Sequence, residues 1–514
     1  MTAVNLTGST SEPFGGWLSQ YHWAPATLTY SFPANGSFYS YMETSSVYAL
    51  ADSQKNTIRD ALAQIESFTQ LQFFEVSETF SNEATLRYAS EVGLVGGLGY
   101  FPQDIEQGGD AFFGTGSAGP APGNEAFVII VHEIGHTLGL AHGHEDNSFA
   151  GSSLNSQEYT LMTYADYVGD TDINSFDSGP VDWAQSFMQL DIAALQFLYG
   201  ANYSSSGEVW SGDTVYMFDP LTGEMSIDGA GQGAPAGNRI FRTIWDGNGT
   251  DTYDLSNYAT DLKIDLAPGA WSLFSDAQLA DLNSKSPDPQ YLAEGNVANA
   301  RLVGGDYRAM IENATGGRGN DVIAGNAVAN LLKGQRGDDD LSGLAGDDTL
   351  VGGNGRDTLR GGADNDTLKG GKARDTLLGE DGGDVLKGGG AKDTLKGGKG
   401  TDTLIGGAGF DRLFGGAGRD DFVYNSASDA GIGSDIERIR KFVVGKDDID
   451  FSALTGAPLD LVLNGNLTGT SASVATRNEA ADTRVRVDLD GDGTADMQIL
   501  IVGVQGLGAG EFIL

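Results

Sequence analysis

Four of the chain's five histidines fall in the stretch VIIVHEIGHTLGLAHGHEDN, residues 128–147. Side chains four residues apart on a helix lie on one face. His132 and His136 therefore present two imidazoles to one point. Glu133 follows His132 about 100° round the helix axis, close enough to reach a water on a metal held there. Gly139 supplies the left-handed residue that ends a helix and turns the chain back. His142 then brings a third nitrogen. Three nitrogens with an open fourth position are the donor set of a catalytic zinc ion, not of a closed structural site. His144 lies outside this spacing and reads as a solvated loop residue, as does His22.

The elements that must hold these residues are readable nearby. TLTYSF (27–32) alternates like a strand, and LQFFEV (71–76) reads as another. Ile58, Leu62, Ile65 and Phe68 have helical spacing behind an Asp52 cap, predicting a helix over 52–68. GLGYFP (97–102) reads as a strand stopped by a proline, at a sheet edge. A peptide could add to such an edge through main-chain hydrogen bonds. EAFVIIVHEIGHTL (125–138) reads as a largely buried helix. DWAQSFMQLDIAALQFLYG (182–200) reads as a second one, closed by Gly200. TLMTY (160–164) places Met162 where a methionine turn would lie beneath the metal.

From Gly316 the texture changes. Twelve nine-residue units run without a gap over 316–423, from GGRGNDVIA to GGAGRDDFV. Position six is Asp in every unit except at Asn330, and position eight is Leu, Ile or Phe throughout. Such a period marks a solenoid. It explains why glycine reaches 76 of 514 residues and much of the net charge of −41. The glycine-rich turns and Asp carboxylates offer oxygen to a hard cation, and calcium fits that set. Without the cation, rows of Asp would repel one another and a thin core could not offset chain entropy. Four units lack glycine at position four, at Val328, Asp364, Ala373 and Ala391, and these are expected to bind calcium weakly or not at all. VDLDGDGTADM (487–497) spaces Asp488, Asp490 and Asp492 like a calcium loop, but Ile499 stands at the twelfth position. A hairpin turn is the favoured reading there over a calcium loop.

The charge argues against nucleic acid and against insertion into or binding to anionic membranes. There is no cysteine, hence no disulfide, and no run of about twenty apolar residues that could span a bilayer. MTAVNLTGSTSEPFGGW has neither a basic nor an apolar signal-peptide region. The calcium repeats nonetheless point outside the cell, because extracellular modules bind calcium at about 10⁻⁴–10⁻³ M.

The spacing His132-Glu133-x-x-His136-x-x-Gly139-x-x-His142, followed by Met162, is the metzincin signature. Combined with Met162-Thr163-Tyr164 and the repeats, it resembles the serralysins, secreted bacterial metzincin proteases with a C-terminal calcium-binding roll. QLDIAALQFLYGAN (189–202), SGDTVYMF (211–218), TIWDGNGTDTYDLSNY (243–258) and MIENATGGRGND (310–321) carry the resemblance between the two ends. It implies an α+β chain, with a metzincin catalytic domain of twisted sheet and active-site helices followed by an all-β parallel β-roll. The boundaries expected are 1–25 for an N-terminal segment in the place of a short propeptide and 26–205 for the zinc protease domain. Then come 206–315 for a linking β region and the start of the roll, 316–423 for the nine-residue roll, and 424–514 for a C-terminal β cap with a secretion signal.

The resemblance also assigns roles. Tyr164 becomes an additional zinc-site tyrosine that donates to the oxyanion, and Glu133 becomes the general base. Calcium is held by carbonyls at positions two and four and by the Asp at six. At position two these are Gly317, Gly353, Gly362, Gly371, Gly389, Gly398, Gly407 and Gly416. At position four they are Gly319, Gly337, Gly346, Gly355, Gly382, Gly400, Gly409 and Gly418. At position six they are Asp321, Asp339, Asp348, Asp357, Asp366, Asp375, Asp384, Asp393, Asp402, Asp411 and Asp420. Gly212, Thr214, Asp246, Gly249, Asp251 and Glu312 add earlier calcium ligands. The expected function is a secreted, calcium-stabilised zinc endopeptidase, monomeric, acting on proteins or peptides. A type I exporter would read the C-terminal GAGEFIL. The alternative is a calcium-dependent binding or adhesion protein with an inactive metzincin domain. Two departures from the family stand out: Gly143-His144 replaces the usual Pro-Gly, and the roll is longer than usual.

Overall fold

The computed structural model describes residues 2–6, 14–24, 26–42, 45–79, 83–143, 152–170, 176–203, 212–286, 288, 291–432, 436–454 and 458–514. They divide into two units, one of Met1–Thr252 with Pro268–Ile311 and one of Tyr253–Ala267 with Glu312–Leu514. Helices are few and strands many, a mixed region of helices and sheet preceding a long parallel strand-rich region.

The first unit carries a sheet in the order Gln72–Glu75, Thr27–Ser31, Leu86–Glu91, Asp110–Phe113, Gly97–Gly99. The first four strands pair parallel, while Gly97–Gly99 pairs antiparallel at the edge. Helix α1, Asp52–Phe68, buries Ile58, Leu62, Ile65 and Phe68 as their spacing requires. Asp52 is not its cap, however. The capping position is Ala51, whose N–H donates to Gln54 Oε1 at 2.9 Å. Helix α2, Glu125–Thr137, is started by Asn124, whose side chain accepts from the Phe127 N–H at 2.9 Å. All of its residues from Ala126 to Thr137 except Ile129 are buried, so it runs through the core.

Helix α3 is shorter than the sequence suggests, Gln189–Tyr199, and ends at Gly200 with φ +79°. Residues 182–188 are apolar enough for a helix but are held elsewhere. The Trp183 N–H donates to Gly123 O and the Gln185 N–H to Phe241 O. The Asp191 carboxylate then accepts from the Met188 N–H at 3.0 Å and starts the helix there. One core joins α1, α2, α3 and the sheet, with Trp17, Tyr88, Met162 and Phe187 among its buried residues.

The second unit is a two-sheeted parallel solenoid. Strands pair with those eighteen residues on, as in Leu332↔Leu350 and Leu341↔Leu359. Every position-eight side chain from Ile323 to Phe422 is at most 1% exposed, which makes one apolar column per sheet. The turns need a left-handed backbone. At Gly355, φ is +141° and a β-carbon would stand 1.7 Å from Gly337 O. Some turns hold that conformation without glycine, at Gln335, Leu344 and Glu380 in position two and at Asp364 and Ala391 in position four. Beyond the repeats, Ser473–Glu479, Asp482–Asp488 and Met497–Val502 extend one sheet antiparallel, with residues 489–496 as the hairpin turn. Phe512–Ile513 pairs with the strand Asp448–Asp450. No helix among the described residues is long and apolar enough to cross a membrane.

Candidate active site

Helix α2 carries His132 and His136 on one face, and the turn at Gly139 (φ +104°) returns the chain so that His142 meets them. His142 Nε2 lies 3.0 Å from His132 Nε2 and 3.0 Å from His136 Nε2. The opposite ring nitrogens are committed: His132 Nδ1 is 2.7 Å from Leu161 O, and His136 Nδ1 is 2.7 Å from Leu140 O. A carbonyl can only accept, so each Nδ1 carries the hydrogen and each Nε2 keeps a lone pair. Lone pairs aimed at one point repel unless a cation lies between them. The chemistry of this donor set therefore fits zinc.

Glu133 sits beside this point and is almost fully buried. Burial pushes its carboxyl up to about 8, opposed by a hydrogen bond from the Gly99 N–H. The edge strand approaches so closely that only glycine fits. A β-carbon on Gly97 would lie 2.4 Å from Glu133 Cγ, and one on Gly99 would lie 2.7 Å from Glu133 O. The Tyr164 ring stands 4.8 Å from that of His142 and 5.8 Å from that of His132. Met162 lies under the helix, its sulfur 2.8 Å from where a Gly135 β-carbon would be. A cavity of about 300 Å³ opens beside His132, Glu133 and Tyr164, walled by Val128, Ile129, Leu161, Phe176 and Trp183.

Several contributors were not singled out by sequence. Asp191 accepts from Thr160 Oγ1 at 2.6 Å and from the Leu161 N–H at 2.8 Å, and so fixes the carbonyl that orients His132. Phe176 stands edge-on to Tyr164 and packs against Trp183. None of these had a legible signal, because Asp191 stands in the first turn only once the helix is seen to start at Gln189 and not at 182. His22 is not a solvated loop residue. It lies in a strand paired with Ala3–Asn5, half-buried and edge-on to Tyr199 at 5.9 Å. His144 falls outside the described residues.

In the roll, each position-six carboxylate from Asp339 to Asp420 receives a backbone N–H from eighteen residues earlier, as Asp339 N–H to Asp357 Oδ1 at 3.0 Å. The second oxygen, Oδ2, of these ten, Asp339 through Asp420, is buried without a hydrogen-bond partner among the described residues. Burial first, and neighbouring carboxylates next, push Asp348, Asp366 and Asp393 up to about 7. Such columns of buried acid oxygens fit calcium. The first and second units differ. Asp321 Oδ2 accepts from the Gly317 N–H, and Asn330 donates to Glu312 O. Gly212, Thr214, Gly249 and Asp251 come together: the Thr214 N–H donates to Asp251 Oδ1 at 2.9 Å, and the Gly249 backbone abuts Gly212 O. Asp246 is close by and accepts from the Tyr216 hydroxyl at 2.6 Å.

A family model described as Peptidase M10 serralysin C terminal matches residues 205–514, more than half of the chain. Another, described as Metallo-peptidase family M12B Reprolysin-like, matches residues 37–187. The chain is 30% identical to the Metalloprotease AprA of Pseudomonas entomophila (strain L48) over 324 residues, 60% of each chain. It is 31% identical to the Serralysin of Proteus mirabilis over 339 residues, 60% of this chain and 61% of that one. Over 362 residues it is 30% identical to the Serralysin G of Dickeya chrysanthemi, 65% of this chain and 64% of that one. The matches thus span about 60% of the length of these curated relatives. With the three-histidine centre at one end and the nine-residue solenoid at the other, this chain belongs to the serralysin family.

Proposed function

We propose that the chain is a secreted zinc endopeptidase stabilised by calcium, with residues 26–205 carrying the hydrolytic site. The observation that supports this best is the convergence of His132, His136 and His142 through Nε2, with Glu133 buried beside them. Zinc held by those three nitrogens would polarise a peptide carbonyl and bring the pKa of a water towards about 7. Glu133 takes the proton of that water and returns it to the leaving amine. Tyr164, beside His132 and His142, donates its hydroxyl to the developing oxyanion. The strand Gly97–Gly99 lies at the edge of its sheet along Glu133, where a substrate main chain would add. The names of the relatives, Metalloprotease AprA and Serralysin, agree with this reading.

Calcium, on this reading, fills the unpartnered Asp oxygens of the roll and holds neighbouring turns together. Sites of this kind fill at extracellular calcium and stay empty at cytosolic levels, so the chain would leave the cell unfolded and fold outside. A type I exporter reading the C-terminal segment would suit that route. Casein zymography with and without a zinc chelator tests the activity. Hydrolysis is expected without chelator and should be lost with it. Chelator-insensitive hydrolysis would remove zinc from the mechanism, and no hydrolysis in either lane would favour a binding role for the roll.

A further inference from the structure

We infer that residues 14–23 are a permanent strap that positions the loop carrying His142, and not a segment removed on activation. This rests on the reading of His142 as a zinc ligand. Helix α2 ends at Thr137, and the next residues must hold an irregular path for His142 to meet the other two histidines. Their carbonyls are held one after another. Thr137 O accepts from Trp23 Nε1 at 2.9 Å, and Leu138 O from the Tyr199 hydroxyl at 2.7 Å. Gly139 O accepts from the Ser19 N–H at 2.8 Å, and Leu140 O receives His136 Nδ1. On the donor side, the Ala141 N–H reaches Trp17 O at 2.8 Å, and Leu18 bridges Leu140 antiparallel. The strap thus supplies three of the bonds that fix residues 137–141, and Tyr199 in turn accepts from the Trp23 N–H.

Trp17 reaches further still. Its ring fills the space over Gly143, the residue after His142, so closely that a β-carbon there would lie 2.2 Å from Trp17 Nε1. Trp17 is 1% exposed and belongs to the main core, with Phe14 beside Phe197 anchoring the strap's start. The glycine that departs from the family's usual Pro-Gly is the one the indole requires. A segment destined for removal would be expected to lie on the surface, where cutting exposes little. Cutting here would expose Trp17 and Trp23, both buried, and free the backbone on either side of the third ligand.

The test uses the full chain and reads zinc release into a competing chelator, with amide hydrogen exchange over residues 138–143. Trp17→Ala should release zinc at least tenfold faster and exchange those amides faster, and Trp17→Phe should restore much of both. Gly143→Ala should reproduce the defect by displacing the indole, but should add little in a Trp17→Ala background, where the clash is gone. Unchanged release and exchange in both single variants would overturn the strap. So would a fully active protein whose N-terminus lies beyond Trp23. A wild-type chain that retains no zinc would overturn the enzymatic reading instead, and the exchange rates would still decide the strap.

Discussion

At the scale of single residues, the site combines a carboxylate that chemistry needs with surroundings that disfavour its charge. Glu133 is buried beside three imidazoles, with one backbone N–H for company. Glu133→Gln keeps shape and removes the base. The variant should bind zinc stoichiometrically by elemental analysis while peptide hydrolysis falls about 10²–10⁴-fold. Tyr164→Phe should leave folding and zinc content alone and lower kcat roughly ten- to a thousand-fold, with KM little changed. Asp191 touches no substrate. It satisfies the Thr160 hydroxyl and the Leu161 and Met188 N–H groups. Asp191→Ala strands three donors, each costing about 1–3 kcal/mol when buried. Its melting temperature should drop markedly and its zinc should leave faster. An unchanged melting curve would mean that water replaces the carboxylate.

At the scale of elements, the reactive part was legible and its supports were less so. The His-Glu-His spacing predicts a helix face, and α2 presents that face because nearly every turn of it is apolar. GLGYFP was readable as an edge strand, but why it holds Gly97 and Gly99 was not. Those glycines answer to Glu133, more than thirty positions away in sequence, and no local pattern encodes such an approach. The start of α3 was misread for a similar reason. Residues 182–188 have helical composition, yet their N–H groups are claimed by Gly123 and Phe241, and Asp191 sets the boundary. Local signals lose where long-range hydrogen bonds compete. The edge strand makes its own prediction. Gly97→Ala should preserve the circular dichroism spectrum but reduce hydrolysis strongly, because its β-carbon occupies the Glu133 side chain's place.

At the scale of the whole molecule, the roll was the most legible part, since a nine-residue period specifies strand, turn and inward column together. What the period concealed was tolerance: five non-glycine residues take the left-handed turn conformation. The acid columns also set a pH response. Without calcium, the folded carboxyls at Asp348, Asp366 and Asp393 lie near 7, above the ordinary Asp value of about 4. Between those limits the folded roll binds more protons than the unfolded chain. Calcium-free stability should therefore rise as pH falls from about 7 towards about 4. Calcium competes with those protons, so its apparent affinity should rise with pH over the same range. Calcium titrations followed by β circular dichroism at pH 6 and pH 8, at fixed ionic strength, check both signs.

The eighteen-residue ladder has a direction. Each position-six N–H is received by a carboxylate one turn nearer the C-terminus, from Asp321 to Asp339 up to Asp402 to Asp420. One column is then closed outside the repeats, by the Asp420 N–H on Asp447. Every position-six N–H from Asp321 to Asp402 thus finds its acceptor in the following turn and none in the preceding one. Erosion should be unequal. Deleting the first repeats leaves every remaining N–H with its acceptor and takes a donor from only the first remaining carboxylate of each column, which water can serve, whereas removing Asp447 strands the buried N–H of Asp420. The solenoid can be shortened from its front, but its integrity is underwritten from the rear.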